Sequence, residues 1–160
     1  MVQGAMIAAL YVVLAYLQNW ILPDSASMAI QFRAAEALCV LSFFTPAAIW
    51  GLSLGCFLFN LSYAASLPLD FLAGTAATFL ACGGMYLTRK WTVGGYPLLG
   101  LLFPALSNAL IVGWELSLYI GGGFGVNALC VALGEGAVLL SLGSGLYFAL
   151  RRIHTQSRIF

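Results

Sequence analysis

The stretch LLGLLFPALSNALIVGWELSLY, residues 98–119, decides the class of fold. A helix needs about 20 apolar residues to cross the hydrocarbon core of a bilayer. This stretch is that long, holds no Lys or Arg, and carries a single acid, Glu115. The same reading extends outward over the whole chain. Of its 160 residues, 62% are hydrophobic and 7% are charged, and the mean hydropathy is +1.01. Soluble domains carry about 25% charged residues. So few charges cannot cover a water-soluble surface, which excludes a soluble globular domain and a disordered chain. A nucleic-acid binder is excluded too, because phosphate binding needs clustered Lys and Arg. What remains is an all-α integral membrane protein, read as a single transmembrane domain over residues 1–160.

Proline and glycine divide the chain into six expected spans, 2–22, 29–44, 47–66, 70–87, 98–119 and 125–150. Pro23-Asp24 stops the first, Thr45-Pro46 breaks the second, and Leu67-Pro68 breaks the third, since proline disfavours helix in the residue before it. Gly94-Gly95-Tyr96-Pro97 and Gly121-Gly122-Gly123 supply the later turns. Met1 to Leu17 with Ser25-Ala26-Ser27 has the apolar and small-residue parts of a leader. It lacks a basic start and further spans follow, so it reads as a retained first span. Arg89-Lys90 follows the fourth span, and Arg151, Arg152 and Arg158 follow the sixth. The positive-inside rule makes that side, and with it both termini, cytoplasmic. The opposite loops carry no Lys or Arg, and the first is acidic at Asp24.

Four ionisable residues, Arg33, Glu36, Glu115 and Glu135, fall inside expected spans, and Asp70 opens another. Each costs about 2.5–3.5 kcal/mol if it faces lipid at mid-bilayer, so the group is expected to face inward. At about 1.5 Å per residue from the outer turn, Glu115 lies ~7 Å deep and Glu135 ~15 Å. Asn127 is shallow and Asn108 deep on the same count. The polar residues thus gather in the outer half, as a pocket rather than a path. Asn108-Ala109-Leu110-Ile111-Val112 with Glu115 is echoed by Asn127-Ala128-Leu129-Cys130-Val131 with Glu135. In antiparallel spans each Asn comes level with the other's Glu, either as interhelical hydrogen bonding or as a binding set. Arg33 and Glu36, three apart, can meet as an ion pair, or they and Gln31 can reach a ligand. Asp70 is either a helix N-cap or a ligand-site acid. Trp114, Tyr119, Phe32 and Phe124 form either an interfacial belt or a stacking wall. Arg33 against three buried Glu leaves a formal excess of negative charge, which a cation, protons or water would balance. Carboxylates and amides suit the N–H edge of a purine-like ring. The expected ligand is small, flat, rich in hydrogen bonds and cationic.

Cys39, Cys56, Cys82 and Cys130 lie in apolar runs without Cys-x-x-Cys spacing, and the one histidine is His154 in the basic tail. They read as packing residues, with no metal, no cofactor and no nucleophilic catalytic set. There is no P-loop run, so the chain is not expected to be an enzyme, and any ATP hydrolysis falls to partners. Gly4/Ala8 and Ala5/Ala9 in the first span are small-x-x-x-small pairs, which let helices approach closely. They serve packing within the bundle or docking of another membrane subunit; Gly51/Gly55 in the third span raises the same question.

The string Ile30-Gln31-Phe32-Arg33-Ala34-Ala35-Glu36-Ala37-Leu38 resembles a signature of the QueT family. So do Phe44-Thr45-Pro46-Ala47-Ala48-Ile49 with Gly51, Gly55-Cys56 and Asn60-Leu61. Leu69-Asp70-Phe71 with Gly74-Thr75 and Ala77-Thr78, Asn108 to Gly113 with Glu115, and Gly134-Glu135 extend the likeness over nearly all of the chain. The resemblance implies a queuosine-precursor S component, the substrate-binding subunit of an energy-coupling factor transporter in the bacterial cell membrane. It implies a six-helix bundle and a 7-deazaguanine cargo such as 7-aminomethyl-7-deazaguanine. It also implies a transmembrane T component and two cytoplasmic ATPases as partners, with Ala5 and Ala9 matching the docking stripe. On that basis the substrate-binding candidates are Gln31, Arg33, Glu36, Asp70, Asn108, Trp114, Glu115, Asn127 and Glu135. An S component for another small vitamin or nucleobase, a proton-coupled transporter and a purely structural membrane subunit are the competing readings.

Overall fold

Every long apolar run of the sequence is helical in the computed structural model, which describes residues 1–23, 25, 32–62 and 69–157. The helices are α1 (Val2–Ile21), a 3₁₀ helix (Ala34–Phe43), α2 (Ala47–Ser62), α3 (Asp70–Thr88), α4 (Leu98–Tyr119) and α5 (Phe124–Val138). A π turn (Leu139–Gly143) joins α5 to α6 (Ser144–Ser157) without a break. Pro46 precedes α2 and Pro97 precedes α4, where a proline's missing N–H costs nothing. Gly121, Gly122 and Gly123 all have φ near +80°, so the turn before α5 needs residues without a Cβ. Asp24, Leu67-Pro68 and Arg158 lie outside the described residues.

Among the described residues, four helices are long and apolar enough to cross a membrane: Val2–Ile21, Asp70–Thr88, Leu98–Tyr119 and the continuous Phe124–Ile153. The second expected span differs. Instead of an α-helix over 29–44, the described part is a 3₁₀ helix of 10 residues, ~20 Å long at about 2.0 Å per residue. Its surroundings explain how it can be short. Ala35 to Val40, Ser42 and Phe43 are all buried, so the element is wrapped by protein and need not satisfy the length that lipid imposes. It lies against α1, α2, α3 and the π turn. The main apolar core forms around it from Tyr11, Leu38, Val40, Leu52, Cys56, Met85 and Leu101.

The two small-residue pairs of α1 part company. A Cβ on Gly51 would sit 2.6 Å from the Gly4 carbonyl oxygen, and one on Gly55 would sit 2.9 Å from the Ala8 carbonyl oxygen. The Gly4/Ala8 stripe is therefore the seam between α1 and α2. Ala5 and Ala9 are exposed on the other side. Gly113 makes a similar seam between α4 and α5, since its Cβ would lie 2.7 Å from the Ala128 Cα. The basic ends also meet: Arg151 donates to the Gly95 carbonyl at 2.7 Å, and Tyr96 stacks on Phe148. The turn after α3 and the Arg151-Arg152 end of α6 thus share one end of the bundle.

Gly51→Val is expected to force α1 from α2 and to cost about 1–3 kcal/mol, the usual range for overpacking. Gly83, also in a helix, has nothing within 4 Å of its would-be Cβ, so Gly83→Ala should gain stability by improved helix propensity. Thermal unfolding of the two variants in detergent checks the opposite signs.

Candidate functional site

The chain carries five acids; four are in the described residues, and all four are buried. What meets each one separates structural acids from candidate binding groups. Glu36 is fully satisfied. Its Oε1 accepts from Tyr11 at 2.7 Å and from Thr78 at 3.3 Å, and its Oε2 accepts from Cys39 at 3.1 Å. It pins α1, the 3₁₀ helix and α3 together. The expected Arg33–Glu36 pair does not form. Arg33 reaches across to α3, where its Nη2 donates to both oxygens of Asp70 at 3.1 Å. The reason is local: Arg33 precedes the 3₁₀ helix in an extended conformation, φ −110° and ψ 84°, so the i, i+3 alignment of a continuous helix is absent. Asp70 is correspondingly no N-cap. It is the first residue inside α3, and no side chain caps that end.

Gly74, one turn further along α3, makes room for this pair. A Cβ there would lie 2.5 Å from Asn60 Nδ2, 3.0 Å from Asp70 Oδ1 and 3.3 Å from Arg33 Nη1. Asn60 closes the arrangement by donating to the Asp70 carbonyl at 3.0 Å, a hydrogen bond from α2 to α3.

Glu115 of α4 and Glu135 of α5 are 0% exposed, and no donor among the described residues reaches any of their four carboxylate oxygens. Asn108, about two turns before Glu115, is buried as well, and neither its amide nitrogen nor its carbonyl oxygen has a partner among the described residues. The charges of the two acids are coupled to the ion pair: Glu115 feels Asp70 and Arg33, and Glu135 feels Glu36 and Arg33. The outcome is a set of buried polar side chains on α4 and α5, two carboxylates and an amide, whose hydrogen-bonding atoms have no partner among the described residues, an arrangement that proteins rarely leave in place without a use.

The other expected members fall elsewhere. Asn127 is buried, but its amide donates to the Gly121 carbonyl at 2.8 Å; it holds the glycine turn and does not meet Glu115. Trp114 is exposed, as are Phe32, Tyr119 and Phe124, so none of them walls the buried cluster. Gln31 lies outside the described residues. Tyr11, Thr78 and Gly74 were not singled out in the sequence as site residues. A tyrosine or threonine in an apolar span carries no sign of which acid it will meet.

A bundle with several apolar helices of spanning length and buried polar side chains defines a multi-pass membrane protein. The QueT transporter family profile matches residues 1–152, and the chain belongs to that family. Comparison with curated proteins and with solved structures gives no match. The family makes the protein a membrane transporter of small molecules, in keeping with its apolar helices.

The two kinds of acid should respond oppositely to neutralisation. Glu36→Gln puts an amide NH₂ among three donors and is expected to lower the unfolding temperature of the ligand-free protein. Glu115→Gln and Glu135→Gln each remove a buried charge that no donor meets and should leave it unchanged or raise it. Asp70→Ala strands the Arg33 guanidinium and should cost about 3–5 kcal/mol, the usual penalty for halving a buried pair. Thermal unfolding of the four purified variants without ligand measures all of these.

Proposed function

We propose that the chain is the S component of an energy-coupling factor transporter and binds a queuosine precursor of the 7-deazaguanine class, with 7-aminomethyl-7-deazaguanine as its cargo. The observation that carries this reading is the set Asn108, Glu115 and Glu135, buried polar side chains without partners among the described residues. Such a cargo brings the missing donors. Its guanine-like edge offers two parallel N–H groups to one carboxylate. Its aminomethyl group is an ammonium that the second carboxylate neutralises, and the Asn108 amide, donor and acceptor at once, suits the remaining ring edge. The Arg33–Asp70 pair fixes the charge balance beside them.

The wider arrangement follows from the family resemblance. The chain works with a transmembrane T component and two cytoplasmic ATPases, the latter supplying the energy. The exposed Ala5 and Ala9 suit close approach of the T component. The protein crosses a bacterial cell membrane six times, counting the 3₁₀ helix and α2 as crossings. Both termini are cytoplasmic, in line with Arg89, Lys90, Arg151 and Arg152 at one end of the bundle. The same two carboxylates would also serve a proton-coupled carrier, a reading that needs no partner subunits.

Native mass spectrometry of the purified protein should find a co-purifying 7-deazaguanine; a different vitamin in its place overturns the cargo. In titrations with 7-aminomethyl-7-deazaguanine, Glu115→Gln and Glu135→Gln should each weaken binding by about 10- to 100-fold. That corresponds to losing one hydrogen bond to a charged group, about 1.5–3 kcal/mol. Unchanged affinity in both variants would sink the site. Gradient-driven uptake into proteoliposomes without the ATPases would favour the proton-coupled carrier instead.

A further inference from the structure

Gln18, in the last turn of α1, binds the backbone on both sides of Arg33. Its Nε2 donates to the Phe32 carbonyl and, at 2.9 Å, to Ser25 Oγ. Its Oε1 accepts the Ala34 N–H at 2.6 Å. The Ala34 N–H opens the 3₁₀ helix and has no acceptor of its own within it, so a side chain from another helix acts as the cap. Phe32 offers only an acceptor here and Ala34 only a donor. One residue must therefore present a donor and an acceptor together at the end of a long side chain. Glutamine does so; glutamate lacks the donor, and methionine lacks the donor and offers only a weak thioether acceptor.

The grip matters because, among the described residues, the other end of Arg33 is held only through Asp70. Both Asp70 oxygens are met by one guanidinium nitrogen, Nη2, and Nε has no partner among the described residues. A fork of two nitrogens would fix the plane of the guanidinium, whereas a single nitrogen does not. Beside it lies a cavity of about 10 Å³, lined by Gln18, Arg33, Tyr11, Ala35, Phe59 and Asn60. That is about one water's worth of space beside the guanidinium.

We propose that Gln18 is a positioning residue: by fixing the peptide groups before and after Arg33, it sets where the guanidinium stands relative to Asp70, Glu115 and Glu135. The inference rests on the reading of that cluster as the cargo site. It is tested with the full chain in detergent, by two double-mutant cycles. In the first, binding of 7-aminomethyl-7-deazaguanine is titrated. Gln18→Met should weaken it about tenfold in the otherwise unchanged protein, and by less than about twofold when Arg33→Met is already present. An equal loss in both backgrounds would mean that Gln18 acts elsewhere, and would overturn the proposal. The second cycle needs no cargo. The fall in unfolding temperature caused by Asp70→Asn should shrink when Gln18→Met is present, and simple additivity overturns the proposal. If Gln18→Met does not fold, Gln18→Glu replaces it in both cycles, keeping the Ala34 acceptor and losing the Phe32 donor. If the unchanged protein does not bind the probe, the cargo assignment falls, while the stability cycle still decides the role of Gln18. It decides equally where Arg33→Met takes binding beyond measurement.

Discussion

The Glu36 carboxylate is the joint on which the bundle turns. A buried acid must be met by donors or it destabilises whatever surrounds it. Here Tyr11 from α1, Cys39 from the 3₁₀ helix itself and Thr78 from α3 meet it together. Three elements are thereby brought to one point, and the 3₁₀ helix is held inside the protein rather than against lipid. That placement lets it be short, and it puts Arg33, just before it, within reach of Asp70 at the start of α3. The ion pair, the room that Gly74 leaves for it, and the hydrogen bond from Asn60 all follow from the position that Glu36 imposes.

Against that satisfied joint, the donor-poor half of the interior gains its meaning. Glu115 and Glu135 sit on α4 and α5, which approach closely because Gly113 lies against the backbone of Ala128. The repeated Asn-Ala-Leu motif contributes one residue to each role: Asn108 joins the buried acceptors, whereas Asn127 holds the glycine turn. The helix pair is thus anchored at its turn and left with open acceptors inside. A protein selected for stability alone would fill such a region with apolar side chains. On the proposed reading, keeping acids there is a stability cost that cargo binding explains.

Much of this was legible in the sequence, for identifiable reasons. Apolar runs of spanning length and the prolines and glycines between them act locally, so α1, α3 and α4 begin and end close to where those signals stand. The concentration of acids in apolar runs likewise marks Glu115 and Glu135, because lipid forbids them a lipid-facing place. Pairing was not legible. Arg33 and Glu36 stand three apart and would meet on a continuous helix, but the chain is extended at Arg33 and the pair is lost. Which acid a tyrosine or threonine will meet depends on helix packing, and Tyr11, Gln18 and Thr78 carry no local mark of it. Trp114 illustrates the converse: its neighbour Glu115 is buried, but the helix turns the tryptophan outward.

Helix α1 joins these threads. Its inner stripe, Gly4 and Ala8, is the seam with α2, and further along the same helix Tyr11 holds Glu36 and Gln18 holds the backbone around Arg33. Its second stripe, Ala5 and Ala9, is exposed. A continuous helix of 20 residues moves largely as a rigid body, because shifting one end without the other breaks its hydrogen-bond ladder. A force applied at Ala5 and Ala9 is therefore delivered to Tyr11 and Gln18, and through them to the residues around the buried cluster. On the proposed reading, the helix that meets the partner subunit is also the helix that sets the geometry at Arg33. Partner docking and cargo affinity would then be linked through α1, without any contact between the partner and the site.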